Sequence, residues 1–168
     1  MLLTILVDEN TERNVTTLHR ISMIHDQPAL SFCMTCRDGR EAVQRGVRGG
    51  ARLAQAFLSQ SGTTRWHRGF ELRGVQCMSQ CKRSCIVSLS ARGRFSYIFG
   101  DLDPAERGHI EALRDLMPLY LAAPEGFLPR EERPEPLRAR ILGRLPPPGI
   151  SSDLVISFEE TPACSVQI

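Results

Sequence analysis

VQCMSQCKRSCIVSLSARGRFSYIFGDLDPA, residues 75–105, carries the pattern from which the rest of the chain is read. Cys77, Cys81 and Cys85 fall at every fourth position and run into a β-branched apolar stretch. CIVSLS (85–90) reads as a strand, ARGR (91–94) as a turn and FSYIFG (95–100) as a second strand, together a hairpin. In the segment that follows, Asp103 precedes Pro104, and Glu106 stands three residues beyond Asp103. That is a helix-start signature with Asp103 as N-cap and Pro104 at the first helical position. Ile110, Leu113, Leu116 and Met117 form the inner stripe of this helix, which Pro118 is expected to kink or end early.

Upstream, FELRGVQC (70–77) reads as a strand with Phe70, Leu72 and Val75 inward and Gly74 allowing a bend. ALSFCMTC (29–36) reads as a strand that ends at a second cysteine group, Cys33 and Cys36. RDGREAVQRGVRGG (37–50) is a Gly- and Arg-rich loop. GARLAQAFLSQSG (50–62) places Leu53, Ala54, Phe57 and Leu58 at helical spacing and closes on Gly62, a C-terminal cap. The order is β-α-β-β-β-α. A parallel pair bridged by a helix, an antiparallel hairpin and a closing helix give an α/β (α+β) chain with helices on a two-layer mixed sheet. This is the element order of a thioredoxin-like fold.

With 168 residues, 42% hydrophobic and 24% charged, the chain has the profile of a soluble globular domain. It is long enough to bury a core without disulfides. No apolar run approaches the roughly 20 residues of a membrane helix. MLLTILVDEN (1–10) lacks a basic n-region, so a cytoplasmic location is expected. Residues 1–28 read as an N-terminal extension, loosely packed or preceding the true start. Residues 29–124 read as the cysteine-bearing domain. Residues 125–168 read as a Pro- and Arg-rich extension that wraps it, with EPLRARILG (135–143) as its one helical candidate and LVISFEE (154–160) as an edge strand. Net charge is +2, and Lys82 is the sole lysine. With one Trp, two Tyr and no nucleic-acid motif, neither a nucleic acid nor a membrane is an expected partner.

Five of the six cysteines lie in two tight groups. A metal site needs two such groups brought together by the fold, since each supplies too few ligands alone. The loops after the first two strands of a parallel pair emerge at one end, so the groups are expected to meet. Three chemistries fit: a [2Fe–2S] cluster held by four thiolates, a tetrahedral zinc or related ion, and thiol redox chemistry at Cys33-x-x-Cys36. The last needs a strand running directly into a helix N-terminus, and residues 37–50 intervene. Reduced thiols in a cytoplasmic protein favour metal over disulfides, and Cys164 stands apart from both groups.

Residues 76–105 resemble the second half of the thioredoxin-like [2Fe–2S] ferredoxins, with Cys-x-x-x-Cys after a strand, then a hairpin and a helix. That resemblance implies Cys33, Cys36, Cys77 and Cys81 as ligands. Cys85 falls where those ferredoxins have a proline, and is a further metal-ligand candidate. It also implies a homodimer. From about residue 30 to 148 the chain resembles a bacterial domain-of-unknown-function family of predicted metal-binding proteins, in CMTCRDG, CMSQCKRSC, YIFGDLDP and ERPEPLRARILGRLPP. That family is associated with cobalamin synthesis and cobalt handling. The resemblance implies an electron carrier or redox sensor, or a zinc or cobalt carrier, working with a redox partner protein or a metal-handling enzyme rather than turning over a substrate.

His19, His25, His67 and His109 carry little signal, with His109 expected at the surface. Ser79 and Ser84 are candidates to donate hydrogen bonds to sulfur. Arg37, Lys82 and Arg83 flank the cysteines, where positive charge favours thiolates and suits an acidic partner. Glu131, Glu132 and Arg133 suit a structural clamp for the tail. GVRGG (46–50) is too weak a glycine pattern to indicate phosphate binding.

Overall fold

The computed structural model describes residues 27–60, 69–156 and 158. His19, His25, His67, Gly62 and Cys164 lie outside them. The elements in chain order are β1 (Ala29–Cys33), α1 (Gly49–Gln60), β2 (Glu71–Val75), β3 (Val87–Ser90), β4 (Ser96–Phe99), α2 (Arg107–Ala122), α3 (Glu135–Arg138) and β5 (Ile141–Leu145). The five strands form one sheet in the order β2-β1-β3-β4-β5. β1 and β2 are parallel, with Cys33 opposite Val75, and the remaining pairs are antiparallel. The expected α+β mixed sheet and the β-α-β-β-β-α order are both present through residue 122.

Period-two alternation sets which side of the sheet is buried. Leu30, Phe32, Val87, Leu89, Tyr97 and Phe99 join Leu53 and Phe57 of α1 and Ile110, Leu113, Leu116 and Met117 of α2 in one core. Phe32 and Phe57 meet with tilted rings at 5.2 Å between centroids, and Tyr97 meets Tyr120 edge-on at 6.1 Å. Each fully buried Leu or Phe contributes roughly 1.5–3 kcal/mol relative to exposure. Leu58, expected on the buried face of α1, is instead exposed, because only the Leu53–Phe57 face meets the sheet. In β2, Phe70 just before the strand is buried, while Leu72 and Val75 are half-buried, as suits a strand with a neighbour on one side only.

α2 begins three residues later than its sequence signature. Glu106 is the N-cap, with an extended backbone, and its side chain accepts a hydrogen bond from the Gly108 amide. Asp103 caps a preceding turn, accepting the Ala105 amide at 2.8 Å. The helix runs through Pro118 to Ala122. Leu116, Met117 and Tyr120 are buried around the proline, and their packing outweighs the one backbone bond it removes.

The helical candidate at 135–143 divides. Pro134 and Pro136 favour the single turn of α3, whereas Ile141–Leu145 pairs along β4. The open edge of β4 offers that segment interstrand hydrogen bonds, which prevail over its weak helical pattern. The fifth strand therefore comes from 141–145, while Leu154–Ile156 of the strand expected at 154–160 belong to no strand. Residues 125–145 also supply Leu128 and Leu137 to the core. The Leu128 amide donates to the Tyr97 hydroxyl at 2.7 Å, and buried Arg133 donates to the Leu128 carbonyl at 3.1 Å with its guanidinium 5.9 Å from the Tyr97 ring. Among the described residues, no helix is long and apolar enough to cross a membrane.

Candidate metal centre

Parallel pairing of β1 with β2 brings the two cysteine loops out at one end of the sheet. Two hydrogen bonds join them. The Met34 amide donates to the Val75 carbonyl at 2.8 Å, continuing the ladder one step past the strands. The Thr35 hydroxyl donates to the Gln76 carbonyl. The Met78 amide, from the second loop, helps to lower the Cys33 thiol pKa. The convergence expected from topology is therefore realised in the backbone.

The thiols differ in setting. Cys33, Cys36 and Cys85 are buried, whereas Cys77 and Cys81 are exposed. Burial pushes the Cys33 thiol up. Hydrogen bonds from Cys36, from the Met78 and Thr35 amides and from the Thr35 hydroxyl outweigh it, so the net shift is downward. Burial, with the neighbouring Cys33, pushes Cys36 up to about 12, although the Ile86 amide acts the other way. Burial also takes Cys85 up to about 12, with Cys36 and Asp38 adding to the effect. The Cys77 sulfur accepts the Ser79 amide at 3.4 Å. Among the described residues, no three His, Cys, Asp or Glu side chains stand together in a metal-holding arrangement.

Sequence reasoning missed how the first loop is built. Residues 37–48 make a detour that returns α1 to the cysteines. The Gly50 amide donates to the Cys36 carbonyl at 3.2 Å. A Cβ on Gly50 would lie 1.8 Å from the Cys33 carbonyl oxygen, and one on Gly49 would lie 3.0 Å from the Cys85 sulfur. The glycine pair, read from sequence as an uninformative loop, is thus what lets a helix start against Cys36 and Cys85. The intervening residues do not keep the helix from the cysteine pair, as the sequence had suggested. The pair GG at a helix start was the available signal.

Polar bridges fix the detour in place. Asp38 pairs with Arg52 of α1, and Arg40 grips Asp103 with a hydrogen bond of 2.9 Å. Burial raises the Asp38 carboxyl, but Arg52 and the Arg40 amide hold it below its usual range; Arg40 likewise lowers Asp103. The Ser84 hydroxyl donates to the Arg37 carbonyl, so it braces loop to loop instead of serving sulfur. Ser79 reaches sulfur through its amide. Arg83 is held by Asp101 at 2.6 and 2.8 Å. The Ser84–Cys85 peptide bond is cis, and Cys85 exchanges backbone hydrogen bonds with Leu102 at 3.2 and 3.4 Å. His109 is buried, contrary to expectation, because its Nδ1 accepts the Asp103 amide at 3.0 Å. Its i, i+6 placement relative to the Asp-Pro turn was the only hint.

The donor set is sulfur, on two loops, with the Ser79 amide directed at the Cys77 sulfur at 3.4 Å. Soft thiolate donors suit an iron–sulfur cluster or zinc, and amides directed at sulfur stabilise the charged form. In donor chemistry the residues present fit either group.

Fold and site together define an α+β protein with two cysteine loops at one end of a mixed sheet. The chain belongs to the family described as protein of unknown function (DUF1636), whose model matches residues 30–147. No curated protein matches it. Among solved structures it is similar to a thioredoxin-like [2Fe–2S] ferredoxin from Aquifex aeolicus, at 18% identity and a TM-score of 0.44, over 75% of this chain and 99% of that one. A Cys59Ser variant of an A. aeolicus thioredoxin-like [2Fe–2S] ferredoxin matches at 14% identity and a TM-score of 0.41, over 69% of this chain and 98% of the other.

Proposed function

We propose that this chain is a cysteine-ligated metal-binding protein that holds a [2Fe–2S] cluster and serves as an electron carrier or redox sensor. The observation that supports it most is the joining of the two cysteine loops at one end of the sheet, where the Met34 amide donates to the Val75 carbonyl at 2.8 Å and the Thr35 hydroxyl to the Gln76 carbonyl. Cys33, Cys36, Cys77 and Cys81 are the proposed ligands, and Cys85 lies buried behind Cys36. A cluster held there supplies one-electron redox chemistry. The chain's own residues do the rest. Burial keeps water from Cys33 and Cys36, the amides of residues 35 and 78 help to lower the Cys33 thiol pKa, and exposed Cys77 and Cys81 put the site within reach of a partner.

Purification without air, followed by absorption and electron paramagnetic resonance, tests this reading. The expected result is a coloured protein carrying iron and labile sulfide in equal amounts. A protein that stays colourless, without iron or sulfide, after reconstitution overturns it. One zinc or cobalt ion per chain with no sulfide assigns the chain to metal carriage instead. The donor set also suits that outcome.

A further inference from the structure

We propose that the face around the cysteine loops is a docking surface for an acidic protein, whose carboxylates are met by Arg37, Arg45, Arg48 and Lys82. The proposal rests on reading the cysteine end of the sheet as the working end, and it names the kind of partner that end receives.

The charge on this face is segregated by pairing. Asp38 is held by Arg52, Asp101 by Arg83 and Asp103 by Arg40. The Glu41 carboxylate accepts the Asp38 amide at 3.0 Å. Among the described residues, Arg37, Arg45, Arg48 and Lys82 have no carboxylate partner. Three neutralised aspartates, and four unmatched cations against the single charge of Glu41, leave a net positive face, although the whole chain carries only +2. Such a field steers an oppositely charged partner and fixes its orientation.

The shape suits a protein. A groove of about 320 Å³ runs between the loops, with Arg37 and Arg40 on one side and Lys82 and Asp101 on the other. Along the first loop, Val43 and Val47 are exposed beside Arg45 and Arg48. Apolar contacts framed by arginine are the composition of protein interfaces. A nucleic acid fits less well. The two loops carry no aromatic on which a base could stack. The larger cavity nearby, about 920 Å³, is no rival, because its Arg130 and Arg138 are committed to backbone carbonyls of residues 131, 133 and 138.

Fluorescence anisotropy of a labelled oligoglutamate peptide tests the proposal, with the full-length chain both metal-free and after reconstitution. Binding is expected to weaken with salt, and to fall roughly tenfold in the double variant Arg37→Glu/Lys82→Glu. Arg37→Gln/Lys82→Gln should fall between, and guards against a fold damaged by charge reversal. Arg92→Glu, in the β3–β4 turn at the opposite end of the sheet, makes the same kind of charge change and should leave binding intact. The proposal is overturned if Arg92→Glu weakens binding as much as the loop variants. It is also overturned if oligothymidylate binds as tightly and displaces the peptide. Cluster content is read separately by absorption. Peptide binding without a cluster removes the cluster reading and keeps the docking surface. A cluster with peptide binding indifferent to Arg37 and Lys82 does the reverse.

Discussion

The two cysteine loops are built in opposite ways. The first leaves a central strand, buries Cys33 and Cys36, and is pinned by the start of α1 and by the Asp38–Arg52 and Arg40–Asp103 pairs. The second leaves the edge strand β2, exposes Cys77 and Cys81, and contains only a single turn of 3₁₀-helix at Cys81–Arg83. A site assembled from one rigid and one open half has its geometry set by the first and its access set by the second. The same sulfur chemistry thus carries different structural weight on the two sides.

The sharpest way to break this asymmetry is Gly50→Ala. The added methyl meets a backbone oxygen, which cannot swing aside, so α1 or the first loop must move. A loss of about 3 kcal/mol or more is expected in denaturant unfolding. Metal binding should fail with it. An unchanged unfolding midpoint would remove the rigid half from the account.

Serine substitutions of the cysteines come next in size. On the proposed reading, Cys36→Ser and Cys81→Ser both abolish metal uptake. Only Cys36→Ser should also lower the stability of the metal-free chain, by about 1–3 kcal/mol, because it places a hydroxyl where a buried thiol was. Cys81→Ser should stay within about 0.5 kcal/mol of the parent, as exposed substitutions do. Equal destabilisation by the two would show that the halves are alike.

Thiol accessibility sharpens the contrast without mutation. Iodoacetamide should alkylate Cys77 and Cys81 of the metal-free native chain well before Cys36 and Cys85, as followed by peptide mass mapping. The latter two are buried, and burial, with neighbouring Cys33 or Cys36, holds their thiols at about 12, so little thiolate forms at neutral pH. Prompt labelling of all four would contradict the burial described here.

The smallest expected effect is one of pH. Burial, with Arg140 nearby, lowers the His109 pKa below its usual 6.5. The unfolded chain therefore takes up a proton first as pH falls. The contribution of neutral His109 is complete above pH 6.5 and is lost as pH drops toward the folded-state value. His109→Gln, which keeps an acceptor for the Asp103 amide, should flatten this slope in thermal unfolding measured between neutral and mildly acid pH. A slope unchanged by the substitution would assign the acid limb to other groups.

What was legible in the sequence follows the same division. β3 carries apolar side chains at period two, β1 and β4 are short runs rich in apolar residues, and α2 carries a clear inner stripe, so local pattern and tertiary placement agree. The emergence of the two cysteine loops at one end of the sheet followed from parallel pairing alone. β5 was not legible, since ILGRL is a strand only because β4 has a free edge. The N-cap moved from Asp103 to Glu106, where Asp103 is engaged by Arg40 and its amide by His109. Neither partner is near Asp103 in the sequence signature. The closeness of Gly50 to Cys33 joins residues that sequence separates by a long loop, and two glycines alone do not say what they approach.

β2 touches the sheet along one side only, with Cys33 of its neighbour β1 registered opposite Val75, two residues before Cys77. A ligand shared by both loops is therefore also a rivet at the hem of the sheet. Peeling β2 away and letting the ligand go become one event, so loading the site should slow hydrogen exchange of the β2 amides far more than those of β3. Measured that way, affinity for the ligand and resistance of the edge strand to fraying are the same free energy read from opposite ends.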